Sequence, residues 1–226
     1  MSHHGKRYKS ASAKVDRAKR YSVPEAVALV KETASAKFPE SIELSMKLGI
    51  NPKQSDQNIR GSISLPKGVG QERKVIAFCD GPDAQACLEA GAVKAGAQDL
   101  VDEVQNGWMD FDVALATPPM MRFVGKLGRL LGPQGKMPSP KAGTVTEDIV
   151  AAVGEFRAGR VEYRNDNTGN LHLVVGKADF ADEDLIENIT TFLEHVNSAR
   201  PSTVKGVFVQ RVYLSCTMGP SVPVAF

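Results

Sequence analysis

Apolar and polar residues alternate without a break along "SIELSMKLGI": Ile42, Leu44, Met46, Leu48 and Ile50 face one way, Glu43, Ser45 and Lys47 the other. A period of two predicts a strand with one buried face. Upstream, "SVPEAVALVKETASAK" changes period. Ser22 and Glu25 are spaced as a capping box, Pro24 falls in the first turn, and Ala26, Val27, Val30 and Ala34 recur at helical spacing, so a helix precedes the strand. "NIRGSISL" supplies another strand and runs into "PKGVG", a turn-prone stretch that reads as a hinge.

From Arg73 strand and helix signals alternate. "KVIAFC" leads through "DGPD" into the helix "AQACLEAGAV", "FDVALATP" leads into the helix "MMRFVGKLGRLLG", and "TEDIVAAVGEFRAG" closes the region with a further helix. This alternation predicts a small open α/β sheet covered by helices. Beyond Arg160, "RVEYRND" and "NLHLVV" read as strands, Leu185, Ile186, Ile189, Phe192, Leu193 and Val196 mark a helix, and "GVFVQRVYLSC" is a last strand. Neither flank has enough strands for a core of its own. The economical arrangement is an α/β chain of two domains: residues 1–67 and 160–226 fold together as a discontinuous α+β domain, and 68–159 form an inserted, Rossmann-like open α/β domain. Glycines at the junctions, in "PKGVG" and "RAGR", would let the two bodies move.

Composition changes this picture little. With 226 residues, 42% hydrophobic and 24% charged, the chain is ordinary for a globular protein. Cys79, Cys87 and Cys216 form no C-x-x-C pair and leave an odd thiol, which argues against a disulfide framework or structural zinc and for a reducing compartment. No stretch approaches the ~20 apolar residues of a membrane span, so the expected location is the cytoplasm, with no membrane partner.

Charge changes it more. The net +2 conceals a division along the chain. Lys6, Arg7, Lys9, Lys14, Arg17, Lys19 and Arg20 face only Asp16 at the N-terminus, acids dominate residues 68–112, and Arg122, Lys126, Arg129, Lys136 and Lys141 occupy 113–146 with no acid. Separated basic patches favour a polyanionic partner, although a charged run is also what a solvated face looks like.

The stretch "GPQGKMPSPKAGT", Gly132 to Thr144, poses the choice of anion. A phosphate-cradling loop needs a glycine five residues before a second, then lysine, then a hydroxyl. Here Leu130 stands five before Gly135, Met137 follows Lys136, and prolines remove backbone donors. A nucleotide site is rejected; a nucleic-acid surface and an ordinary solvated loop remain. Asp80 and Asp83 follow a strand, but Asp83 reads as a helix cap after Pro82, and Asp110 and Asp112 flank Phe111 as a solvated strand edge. His172 and His195 lie on different elements with no cysteine or acid at ligand spacing, and His3 and His4 belong to a terminal tail. No nucleophile, base and oxyanion site assembles, so no enzyme, cofactor or metal is expected.

The strings "KFPESIELSMKLGINPKQSDQNIRGSISLP", "GWMDFDVALATP", "LGRLLGPQGKMPSPKAGTV", "RVEYRND" and "TMGPS", in this order, resemble the L-one family of bacterial large-subunit ribosomal proteins along essentially the whole chain. The resemblance implies the same nested two-domain fold in a protein that is a monomer when free. It implies binding to the side stalk of large-subunit ribosomal RNA near the tRNA exit site, help in releasing deacylated exit-site tRNA, and translational repression through the leader of its own operon message.

Carried over by position, the family's RNA surface falls on Lys37, Phe38, Ser41 and Glu43 in the first half and on Thr217, Met218 and Gly219 near the end. Phe38 can offer a stacking face, Ser41 and Thr217 small hydroxyls, Met218 an adaptable apolar contact, Gly219 close backbone approach, and Glu43 an acceptor for ribose or base donors. By residue type alone, Phe38 and Met218 read instead as core. Arg122, Lys126, Arg129, Lys136 and Lys141 are candidate secondary phosphate or tRNA contacts. Gln71 and Asn167 stand where many members carry a basic residue, which weakens any expected contact there.

Overall fold

The computed structural model describes residues 5–54 and 56–226, so His3 and His4 lie outside the described residues. In chain order the elements are α1 (Lys6–Ala13), α2 (Val23–Thr33), β1 (Ser41–Leu48), β2 (Arg60–Ser64), β3 (Val75–Phe78), α3 (Pro82–Glu89), β4 (Lys94–Gly96), α4 (Gln98–Gln105), β5 (Val113–Ala116), α5 (Met121–Val124), α6 (Gly128–Gln134), α7 (Ile149–Ala158), β6 (Arg160–Arg164), β7 (Asn170–Lys177), α8 (Asp182–Ser198), β8 (Val209–Cys216) and β9 (Val222–Val224). The chain is α/β in class and divides into two compact units, residues 1–70 with 163–226, and residues 71–162.

In the first unit an antiparallel sheet runs in the order β7-β1-β8-β9. Along β1 the alternation is realised: Ile42, Leu44, Met46 and Leu48 are buried, and Ser41, Glu43, Ser45 and Lys47 are partly exposed. Ile50 lies past the strand's end. Helix α2 begins with the anticipated capping box of Ser22 and Glu25, buries Ala26, Val27, Val30 and Thr33, and stops with Ala34 as its C-cap. Helix α8 buries Leu185, Ile189, Phe192, Leu193 and Val196. Its fully buried Asn188 accepts from the Lys67 amide at 3.1 Å and donates to the carbonyls of Gly68 (3.0 Å) and Val175 (2.9 Å). Lys67 Nζ also reaches Asp184 and Glu187 on α8. The "PKGVG" turn is therefore clamped to α8 as far as Gly68, with Val69 buried behind it, and is not a free linker.

The second unit is a parallel sheet, β4-β3-β5, with helices on both sides. Side chains alternate across a strand. Ile76 and Phe78 therefore join α4 and the segment after β5 on one face, while Val75 and Ala77 join α3 and α7 on the other. Helix α7 follows an Asp148 N-cap, whose carboxylate accepts from Ala151 N at 3.2 Å, and ends at Gly159 in the left-handed region.

Four expectations are corrected. Gly81, with φ +64°, is the N-cap of α3, so Asp83 sits inside the first turn and caps nothing. The helix expected over "MMRFVGKLGRLLG" is broken: a 3₁₀ turn at Pro118–Met120 precedes α5, and another at Gly125–Leu127 divides α5 from α6. Gly125 and Gly128 at that joint weaken the helix where it tightens. The loop expected from Gly132 starts only after Gln134, because α6 carries Pro133 inside it. Short elements α1, β4, α4 and β9 add to those anticipated.

Candidate RNA interface

The two halves of the expected surface are joined by the sheet. Strands β1 and β8 pair antiparallel, with Ile42 opposite Cys216 and Glu43 opposite Ser215. One step further, Thr217 N donates to Ser41 O at 3.1 Å, and Ser41 N donates to Thr217 Oγ1 at 3.0 Å. The Thr217 hydroxyl thus serves as a side-chain rung that holds the strand ends together. Glu43 Oε1 lies 3.2 Å from His172 Nδ1, which also meets Ser45 Oγ at 3.0 Å. His172 therefore does have an acid beside it, across the β1–β7 pair, which linear spacing could not show.

Around this junction the apolar side chains are out in solvent. Phe38 is 50% exposed and Met218 49% exposed, so neither is the core residue its type suggests. Exposed large apolar groups are common singly but cost solvation when they share one loop cluster. Lys37 is exposed beside Phe38. Gly219 has an internal explanation: a Cβ there would meet Cys216 Sγ at 2.2 Å. The glycine is needed by the fold whatever else approaches it.

Sequence reasoning missed Glu40. Its side chain is buried at 2% exposure, and its two oxygens accept from Ala36 N (2.8 Å) and Met218 N (2.9 Å). Burial by itself would raise this carboxyl; the Met218 and Ala36 amides and the Cys216 thiol outweigh that and hold it below the ordinary glutamate value. One buried anion thus ties the loop carrying Phe38 to the loop carrying Met218. The signal available was its place between the helix end and the alternating strand, an acid where the strand's buried face begins.

In the second unit the basic residues separate into kinds. Arg122, Lys126 and Arg129 are exposed, and their spacing of four and three residues along the broken helix sets them on one side. Lys141 is exposed in a 3₁₀ turn. Lys136 is engaged internally: Nζ donates to the carbonyls of Phe111 and, at 3.3 Å, Met109, and lies 4.9 Å from the Phe111 ring centroid. Arg122 also lines a cleft of about 510 Å³ at the carboxyl ends of β3 and β5, shared with Asp80, Asp83 and Glu147. Thr117 lines it as well, and no cluster able to hold a metal ion occurs among the described residues. Gln71 and Asn167 are exposed in loops. No helix of the described residues is long and apolar enough to cross a membrane.

The model of the ribosomal protein L1p/L10e family matches residues 30–220. The large ribosomal subunit protein uL1 of Kosmotoga olearia is 51% identical over 222 residues, covering 98% of this chain and 96% of the relative. That of Thermosipho melanesiensis is 51% identical over 225 residues, covering 99% and 97%, and that of Lactobacillus johnsonii 50% identical over 222 residues, covering 98% and 96%. With the profile spanning both units and both halves of the Ser41–Thr217 junction, the chain belongs to the ribosomal protein L1p/L10e family.

Proposed function

We propose that this structural protein of the large ribosomal subunit binds the side stalk of large-subunit ribosomal RNA through the Ser41–Thr217 junction of its first unit. The observation that carries this reading is the pair of half-exposed apolar side chains, Phe38 and Met218, fixed on adjacent loops by the buried Glu40 carboxylate. Such a surface offers stacking and adaptable apolar contact with little charge, which suits shape and ribose recognition in RNA more than phosphate binding. Lys37 adds one cation at its edge. The second unit, in a family of ribosomal proteins and not of enzymes, supplies Lys126, Arg129 and Lys141 as a secondary phosphate surface toward exit-site tRNA, whose release it assists. The same junction binds the leader of the protein's own message, so repression and assembly compete for one site.

The test is a set of binding isotherms on a side-stalk fragment and an unrelated duplex at several salt concentrations. Phe38→Ala and Met218→Ala should each cost roughly 1–3 kcal/mol on the stalk fragment alone, with the salt slope unchanged. Unchanged stalk affinity in Met218→Ala, with the fold intact, would remove the terminal loop from the interface. Excess stalk fragment should displace the message leader, and the converse.

A further inference from the structure

Three arginines lie away from the Ser41–Thr217 junction, Arg17 and Arg20 ahead of α2 and Arg211 on β8. Arg17, Arg20 and Arg211 line one concavity of about 310 Å³, together with Gln210 and Tyr213. No acidic side chain lines it, and none of the three guanidinium groups has an ion-pair or hydrogen-bond partner among the described residues. The nearest acid in sequence, Asp16, turns its carboxylate onto Ala18 N at 2.9 Å. A second concavity of about 600 Å³ shares Gln210, is lined by Lys47 and Lys205, and also lacks an acid.

These positions are held, not trailing. Tyr21 N donates to Pro223 O at 3.0 Å and Ala225 N to Tyr21 O at 2.7 Å, which lays the Arg17–Arg20 segment beside β9. Arg211 sits on β8 opposite Lys47 of β1, and Tyr213 opposite Ser45. Buried Val212 and Leu214 alternate with them, so Arg211, Tyr213 and Ser215 share the sheet's open face with Glu43, Ser45 and Lys47. Thr217 lies six residue steps beyond Arg211, just past the end of β8, about 20 Å at ordinary strand rise. Like charges gathered without a counter-charge repel one another, and a bound anion removes that cost.

We propose that Arg17, Arg20 and Arg211 form a phosphodiester-binding pocket that takes the RNA backbone where it continues along the open sheet face from the Ser41–Thr217 junction. It rests on the RNA-binding reading above but adds a separate, charge-driven site. An RNA backbone fits better than an acidic protein surface because the concavity is mostly polar and lined by the Tyr213 ring, and guanidinium forks match phosphate oxygens.

The test compares the full chain with Arg17→Gln/Arg20→Gln/Arg211→Gln. The variant should keep the wild-type melting temperature, since none of the three side chains has a partner to lose. On the side-stalk fragment its salt slope should fall by about 2 and its affinity about a hundredfold near 0.1 M salt, whereas Met218→Ala lowers affinity with the slope intact. A slope equal to wild type would overturn the pocket while leaving the junction reading in place. In parallel, the arginine Nε–H resonances are followed by NMR during titration with a short single-stranded RNA and with a glutamate-rich peptide. Shifts at all three arginines with the RNA support the pocket even if the stalk fragment fails to bind, which would count against the junction alone. Shifts with the peptide only would overturn the RNA assignment.

Discussion

The backbone amide of Met218 lies 2.9 Å from the buried Oε2 of Glu40, whose other oxygen takes the amide of Ala36 at 2.8 Å. Glu40→Gln keeps the size but not the chemistry: the amide can accept with one atom only and turns an NH2 toward the second N–H. The expected cost is about 1–3 kcal/mol, that of an unmatched buried polar pair. Stalk affinity should fall with it, although no contact residue has changed. Wild-type thermal stability in this variant would show that the carboxylate is not the tie.

Gly219 makes the second prediction. It does not lie among the glycines of positive φ, so alanine is acceptable to the backbone and only the contact with Cys216 Sγ opposes it. Gly219→Ala should destabilise by about 1–3 kcal/mol, as overpacking does. Adding Cys216→Ala removes the obstructing sulfur and should restore part of that loss. A double variant no better than the sum of the singles would mean that the glycine is required by something other than this contact.

The same loop shows what sequence could and could not reveal. Period two over Ile42–Leu48 and the Ser22–Glu25 box sufficed for β1 and the start of α2, because both signals are local. The exposure of Phe38 was beyond residue statistics, which favour a buried phenylalanine. The family resemblance supplied it. Glu40 was missed because its partners are Ala36 nearby and Met218 at the far end of the chain, and nothing linear links them. Strands β4 and β9 are too short for a periodic signal, and α1 has no buried residue and no acid in its first turn. Lys136 looked like a phosphate ligand for the same reason: its acceptors are carbonyls about twenty-five residues upstream.

Acid should loosen the turn before β7. Asp166 accepts from Thr168 N (2.8 Å), Thr168 Oγ1 (2.8 Å) and Asn170 N (2.7 Å). Desolvation raises its carboxyl, but the hydrogen bonds from Asn170 and Thr168 outweigh it and bring it from 3.8 down to about 2. A lowered value means the ionised form is favoured by folding, so its contribution is complete above about pH 4 and is lost as pH falls toward 2. Glu25 and Glu40 are also lowered and titrate in the acid range, so the measurement is the difference between wild type and Asp166→Asn. Parallel melting-temperature curves from pH 5 to pH 2 would show that Asp166 contributes nothing there.

Lys136 and the pair Lys126 and Arg129 should separate by stability and by salt. The Lys136 ammonium caps the carbonyls of Met109 and Phe111 just before β5 and covers the Phe111 ring, so Lys136→Ala leaves two carbonyls without their charged donor and uncovers an aromatic face. A charge-assisted bond of this kind is worth about 1.5–3 kcal/mol. The variant's second unit should therefore melt earlier, with the salt slope for RNA or tRNA unchanged. Lys126→Ala with Arg129→Ala removes exposed side chains and should do the reverse, leaving the melting temperature near wild type and lowering the slope by about 1–2. Calorimetry and binding at three salt concentrations on the same preparations decide it. A normal melting temperature with a reduced slope in Lys136→Ala would return this lysine to the phosphate surface and show that its carbonyl contacts are incidental.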